Sequence, residues 1–263
     1  MDIAEIFLNR LSDDNEIWAE VSEKLGAEKI GCNDELTDVL MGISDKMQFR
    51  IYISDEDIPN ELIDSIRAVF INAAECSSSI SVEFFTDEFV NIIDENDRIT
   101  SRSKPRTLVH RDGDLHPTVH VWMIKRKDMG IYVLLQKRSH EKAIYPDCYD
   151  VSAAGHVTQS GEFGKTAVRE IKEELGLDIP RMKLEFIGFR KNHTKYDDIC
   201  DNELSAVYLC REPIYEDQLV LQLSEVSEVC WAEIDEILSI MEDGTFPNCI
   251  SADELKMIKK AVF

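Results

Sequence analysis

Two periods of hydrophobic patterning run along this chain, and the change from one to the other divides it. In residues 2–11 and 16–25 apolar positions recur three and four apart, which predicts two amphipathic helices. "FRIYI" (49–53) is β-branched and aromatic and predicts a strand. "DIPNELIDSIRAVFINAA" sets Leu62, Ile66, Val69 and Phe70 on one face behind Pro59, a residue suited to a helix's first turn, so a third helix is expected. "CSSS" stops it before a second strand, "ISVEFF" (80–85). From residue 86 the pattern changes to strands and turns. "FVNIIDENDRITSRSKPRTLVHRDGDLH" starts as a strand and gives way to a turn-rich connection. "PTVHVWMIK" (117–125) and "GIYVLLQKRS" (130–139) read as two strands joined through "RKDMG" as a hairpin. "LEFIGFRK", "LSAVYLCR" and "SEVCWAEI" are three more strands, and helices close the chain near 233–242 and 252–262. Strands with a few helices, without strict alternation, predict an α+β fold with a mixed sheet and helices on its faces. The expected organisation is a small N-terminal α/β domain over 1–85 and a larger domain over 86–263.

Composition narrows the partners. With 263 residues and 44% hydrophobic content, the chain can bury two cores. Its net charge of −23 speaks against a nucleic acid or an anionic membrane as partner, since both need a basic face. Residues 1–85 hold 19 acidic and 6 basic residues, a net of −13, read as a solvated acidic surface. No apolar run has the length of a membrane span, and "MDIAEIFLNRLSDDNE" is acidic where a secretory signal is basic and then apolar. A soluble, cytoplasmic protein is expected. Its seven cysteines are scattered and lack a CxxC pair, so they read as reduced thiols and not as a disulfide framework or zinc site.

The chemistry concentrates in "GHVTQSGEFGKTAVREIKEELGL" (155–177). On a helix over 163–176, turning about 100° per residue, Val168, Ile171 and Leu175 share one side. Glu170, Glu173 and Glu174 fall together on an adjacent arc. Carboxylates crowded in this way repel and raise one another's pKa unless cations sit among them. A hard divalent ion, Mg²⁺ or Mn²⁺, removes that cost, because carboxylates and water are the ligands it prefers.

The frame around these residues resembles the Nudix box, G-x5-E-x7-R-E-U-x-E-E-x-G-U with U a bulky aliphatic. Gly155, Arg169, Glu170, Ile171, Glu173, Glu174, Gly176 and Leu177 occupy its places. Gly161 stands where the first Glu belongs, and Glu162 follows it. Either the loop is one residue longer and Glu162 reaches the same place, the reading preferred here, or Arg169 lacks its usual partner. The resemblance implies a Nudix-type α/β/α sandwich and a hydrolase that directs water onto a phosphorus of a small-molecule diphosphate. It also implies Glu170 and Glu174 as main metal ligands, Glu173 and the Gly155 carbonyl as further ones, and Arg169 as the residue that orients Glu170.

"KPRTLVHRDGDLHPTVHVW", "LLQKRSHEKAIYPDCYDVSAAGH" and "DNELSAVYL" are similar to the Nudix branch that contains type I isopentenyl-diphosphate isomerases. Those enzymes carry a catalytic Cys two residues before a His, and Ala154 stands there in this chain. Alanine can neither give nor take a proton, so hydrolysis is expected over isomerisation. Cys148 lies six residues upstream and reads as a packed thiol. By the same resemblance Glu203, in "DNEL", is a candidate general base or extra metal ligand, and Asp201 faces the same side. Arg138 and Lys142 are candidates to grip the diphosphate. His116 and His156, with His110 nearby, fall where that branch places metal-binding histidines; taken singly, each reads as a structural residue. Trp122, Tyr149 and Phe189 could stack on a base but read as core. A non-hydrolytic Nudix-fold binding module is a further alternative, and the role of residues 1–85 and a homodimer stay open.

Overall fold

A computed structural model describes residues 2–56, 59–128, 130–142, 144–158, 161–197 and 199–262. Two compact units emerge, Met1–Val90 with Arg102–Val109, and Asn91–Ser101 with His110–Phe263.

The first unit runs β1 (Asp2–Leu8), α1 (Asp14–Lys24), α2 (Asn33–Met41), β2 (Met47–Ser54), α3 (Glu61–Cys76) and β3 (Ile80–Asp87). Its strands form a parallel sheet in the order β1-β2-β3, with Ile6 opposite Ile51 and Ile51 opposite Phe84. Parallel neighbours need crossovers, which the helices supply. Ile6, Leu8, Phe49, Ile51, Ile63, Ile66 and Phe70 are fully buried between sheet and helices. The helix expected over 2–11 is instead strand β1. Short apolar runs fit both periods, and here the buried residues are Ile6 and Leu8, two apart, paired along β2. The sequence pattern also missed α2, an acid-rich helix that buries only Leu36 and Leu40.

The second unit starts within β4 (Phe89–Ile93), which pairs with β5 (Ile99–Pro105). β5 and α4 (Arg106–Asp112) lie where a turn-rich connection was expected, because their polar residues carry no apolar period. β6 (His116–Lys127), β7 (Gly130–Arg138), β8 (Tyr149–Asp150), β9 (Ala153–His156), α5 (Phe163–Leu175), β10 (Leu184–Tyr196), β11 (Ile199–Cys210), β12 (Val226–Glu233), α6 (Ile234–Glu242) and α7 (Ala252–Val262) follow. The sheet order is β10-β11-β6-β7-β12, with β8 on β7 and β9 on β6. β11 and β6 are parallel and the other pairings antiparallel, so the sheet is mixed. On one face α5 packs Ala167, Ile171 and Leu175 against Val119, Val121, Ala153 and Ala206. On the other, Ile234, Ile237, Leu255 and Ile258 of α6 and α7 meet Trp122, Val133, Leu135 and Val207. The result is an α/β/α sandwich. Among the described residues no helix is long and apolar enough to cross a membrane.

Candidate active site

Alternation along β9, fixed by its pairing with β6, turns Ala153 and Gly155 toward α5, with the Ala154 backbone between them. Glu170 and Glu174, one turn apart on that helix, are 8% and 6% exposed. The backbone N–H of Ala154 donates to Glu174 Oε2 at 3.1 Å. At Gly155 an added Cβ would lie 2.0 Å from Glu170 Oε1, so only glycine lets that carboxylate approach the strand. Glu173 is exposed and held from outside. Arg169 reaches Glu170 Oε1 at 2.6 Å, Glu173 Oε2 at 2.8 Å and the His156 carbonyl at 3.3 Å. Burial first, and then the neighbouring Glu170, push the Glu174 carboxyl well above the ordinary range.

The loop before α5 departs from the expectation. Glu162 is the helix N-cap and pairs with Lys165 at 3.0 Å, both exposed, and does not reach Arg169. The Gly161 N–H donates to the Thr158 carbonyl at 2.9 Å, and a side chain at Gly161 would meet that carbonyl at 2.8 Å. Arg169 instead reaches Glu170 and Glu173.

On the sheet face opposite α5, side chains that read singly as structural come together. The rings of His110, His116 and His156 lie 5.2 to 5.5 Å apart by centroid. Their ligand atoms all fall within 4.8 Å of one another, as do those of His116, Asp201 and Glu203. His116 is fully buried, and its Nδ1 contacts the Asp114 carbonyl at 2.9 Å. With Nδ1 on that carbonyl, Nε2 faces Asp201 Oδ1, 3.5 Å away. Three imidazoles and two carboxylates in this arrangement suit a transition-metal ion. No sequence spacing announces the group, because α4, β6, β9 and β11 contribute to it separately. Glu203, on β11 beside His116, has its pKa pushed up to about 7 by burial and then by Asp201.

The two candidate diphosphate cations are already engaged. Arg138 donates to Asp150 Oδ2 at 3.0 Å and to the Ile144 carbonyl, and Lys142 pairs with Glu225. The charge of Lys142 nonetheless opposes protonation of Glu174. Of the aromatic candidates, Trp122 is fully buried and Tyr149 stacks on Phe246 at 5.2 Å. Phe189 is not core: it is 52% exposed, against Phe163 and Phe186. A bulge between Phe186 and Gly188 turns both phenylalanines to one face. Cys148 is half-buried, and burial raises its thiol pKa.

The family model described as NUDIX domain matches residues 114–249, about half of the chain. An uncharacterized Nudix hydrolase of Clostridium acetobutylicum is 36% identical over 163 residues, covering 61% of this chain and 78% of that protein. Nudix hydrolase 3 of Arabidopsis thaliana is 35% identical over 154 residues, 57% of this chain but 20% of that longer protein. Among solved structures, a Deinococcus radiodurans protein, DR0079, superposes with a TM-score of 0.49 at 18% identity, over 64% of this chain and 98% of its own.

Proposed function

The chain belongs to the Nudix family and is a Nudix hydrolase, and from that premise we propose that it cleaves the diphosphate linkage of a small organic diphosphate with Mg²⁺ or Mn²⁺ as cofactor. A nucleoside diphosphate joined to another moiety is the substrate class in view. One observation carries the reading: Glu170 and Glu174, both buried and one turn apart, converge on the backbone of β9, Glu170 beside Arg169 and Glu174 on the Ala154 N–H. A buried carboxylate pair of this kind is costly without a further cation.

Glu170 and Glu174 would hold the ion, with Glu173 and the Gly155 carbonyl as additional oxygens. When bound, the ion supplies Lewis acidity, drawing charge from phosphoryl oxygens and lowering the pKa of water. Arg169, bound to both Glu170 and Glu173, sets the direction of their carboxylates. Glu203, with its pKa raised to about 7, is matched to accept a proton near neutral pH. Arg138 and Lys142 bind the diphosphate oxygens, which must compete with Asp150 and Glu225 for them. His110, His116 and His156 with Asp201 form a second donor set, for which Glu203 is an alternative ligand.

The histidine and carboxylate group favours a second reading, isomerase-type proton transfer at carbon. Against it, Ala154 offers only a backbone N–H, and that is donated to Glu174. Incubation with Mg²⁺ and nucleotide sugars, dinucleoside polyphosphates, ADP-ribose and prenyl diphosphates separates the possibilities. Phosphomonoester products, lost on adding EDTA, are expected. Carbon-skeleton isomers would replace the proposal with the isomerase, and tight binding without turnover would replace it with a binding module.

A further inference from the structure

Charged side chains that the reaction above does not use lie further along the sheet face that carries Glu203. Alternation along β6 puts His116, Thr118, His120 and Trp122 on that face, and pairing adds Glu203 and Ser205 from β11 and Ala154 from β9. The register sets their order. Glu203 lies beside His116, then Ser205 beside Thr118 with their hydroxyls joined at 2.9 Å, then His120 beside Val207 and Ala154. From the first row to the last is four residues of strand, about 13 Å. Arg190, on β10, is the residue opposite Ser205.

Into the far end of this row α7 delivers Glu254, only 1% exposed. Its carboxylate accepts from Trp122 Nε1 at 2.7 Å, His120 Nδ1 at 2.9 Å and an Arg190 guanidinium nitrogen at 3.2 Å. Burial works against a charge on His120, but the adjacent Glu254 outweighs it and lifts the pKa to about 9. One carboxylate thus clamps two cations. A purely structural network would be closed on itself, and this one is not. The side chains of His120 and Arg190 keep 14% and 21% of their surface exposed. Among the described residues His120 Nε2 has no hydrogen-bond partner, and Arg190 has only Glu254 and Asn192 for its five N–H groups.

We propose that His120 and Arg190, clamped by Glu254, are a specificity subsite for the organic half of the substrate, taking a moiety rich in acceptor oxygens and rejecting an alkyl chain. The inference rests on the hydrolase reading of the neighbouring site. Donors already fixed by a buried carboxylate lose little freedom on binding a ligand. An alkyl group would cover two charges without replacing the water hydrogen bonds they lose. The acceptor oxygens could be sugar hydroxyls or further phosphoryl groups, and the test separates these sources.

The full chain with Mg²⁺, as wild type, His120→Gln, Arg190→Gln and Arg190→Lys, is assayed on ADP-ribose, diadenosine tetraphosphate and isopentenyl diphosphate. The wild type should prefer an oxygen-rich compound to the alkyl one. Each Gln variant should raise KM for that compound about tenfold, with kcat within about threefold and KM for isopentenyl diphosphate unchanged. Arg190→Lys should recover part of the loss. A loss confined to ADP-ribose points to hydroxyls, and one confined to the tetraphosphate to phosphoryl groups. Equal KM rises on all three compounds, or a wild-type preference for the alkyl diphosphate, would overturn the proposal. If nothing is turned over, the hydrolase reading fails on its own, and calorimetry with the same compounds still decides the subsite. Weaker ADP-ribose or tetraphosphate binding in both Gln variants upholds it; unchanged binding, or none by the wild type, sinks it.

Discussion

At Gly155 the decisive contact is one that a methyl group forbids, since its position 2.0 Å from Glu170 Oε1 belongs to the carboxylate. Gly155→Ala should push Glu170 off β9, cost about 1–3 kcal/mol by overpacking, and lower turnover about 100-fold. Chemical denaturation and steady-state kinetics on one preparation check both effects. Glu174 makes a pH prediction. A carboxyl whose folded-state pKa is raised stabilises the fold while protonated, and that contribution is lost as pH climbs from 4.5 through the raised value. In EDTA the wild type should therefore lose melting temperature between pH 5 and pH 8 by more than Glu174→Gln does, and Mg²⁺ should remove most of the difference. Equal pH slopes in the two proteins would contradict this account of the site. The carboxylates were legible in the sequence because all three lie on one helix, where spacing alone gives their direction. The histidines were named only through resemblance and read singly as structural, because their grouping depends on how two strands and a short helix meet. The fate of Glu162, which Lys165 takes at the surface, was not legible.

Elements with one dominant period were readable, and elements whose neighbours choose their period were not. The box helix α5 needed only its own sequence. β1 needed β2: Ile6 and Leu8 are buried because they pair along Ile51 and Ile53. α7 is tied to β6 by Glu254, and that link has its own pH signature. A histidine whose folded pKa is raised from 6.5 to about 9 contributes stability that is complete below 6.5 and is lost as pH rises through about 9. Thermal melts should show this loss in the wild type and a flatter profile in His120→Gln. A profile identical in both would mean that the link adds nothing to the hold on α7.

The molecule as a whole divides its chemistry unevenly. The family match covers 114–249, and the net −13 of residues 1–85 accompanies no catalytic motif there. The change of texture near residue 86 was visible in the sequence. The return of residues 102–109 to the first unit was not, because "SRSKP" reads as a loop whatever it packs on. In that unit Phe89 and Leu108 pack with Tyr52 and Phe7. A fragment of residues 86–263 keeps the first pair and loses the second, so it should aggregate on size-exclusion chromatography or melt below the full chain. A monodisperse fragment that melts with the full chain would show the cluster to be dispensable. The central claim, that Glu170 and Glu174 hold a divalent cation, is tested most directly by calorimetric titration of the full chain and of Glu174→Gln with Mn²⁺. The account predicts a binding event in the wild type that weakens about 100-fold or disappears in the variant; equal binding by both proteins, or none by the wild type with or without a diphosphate present, would contradict it.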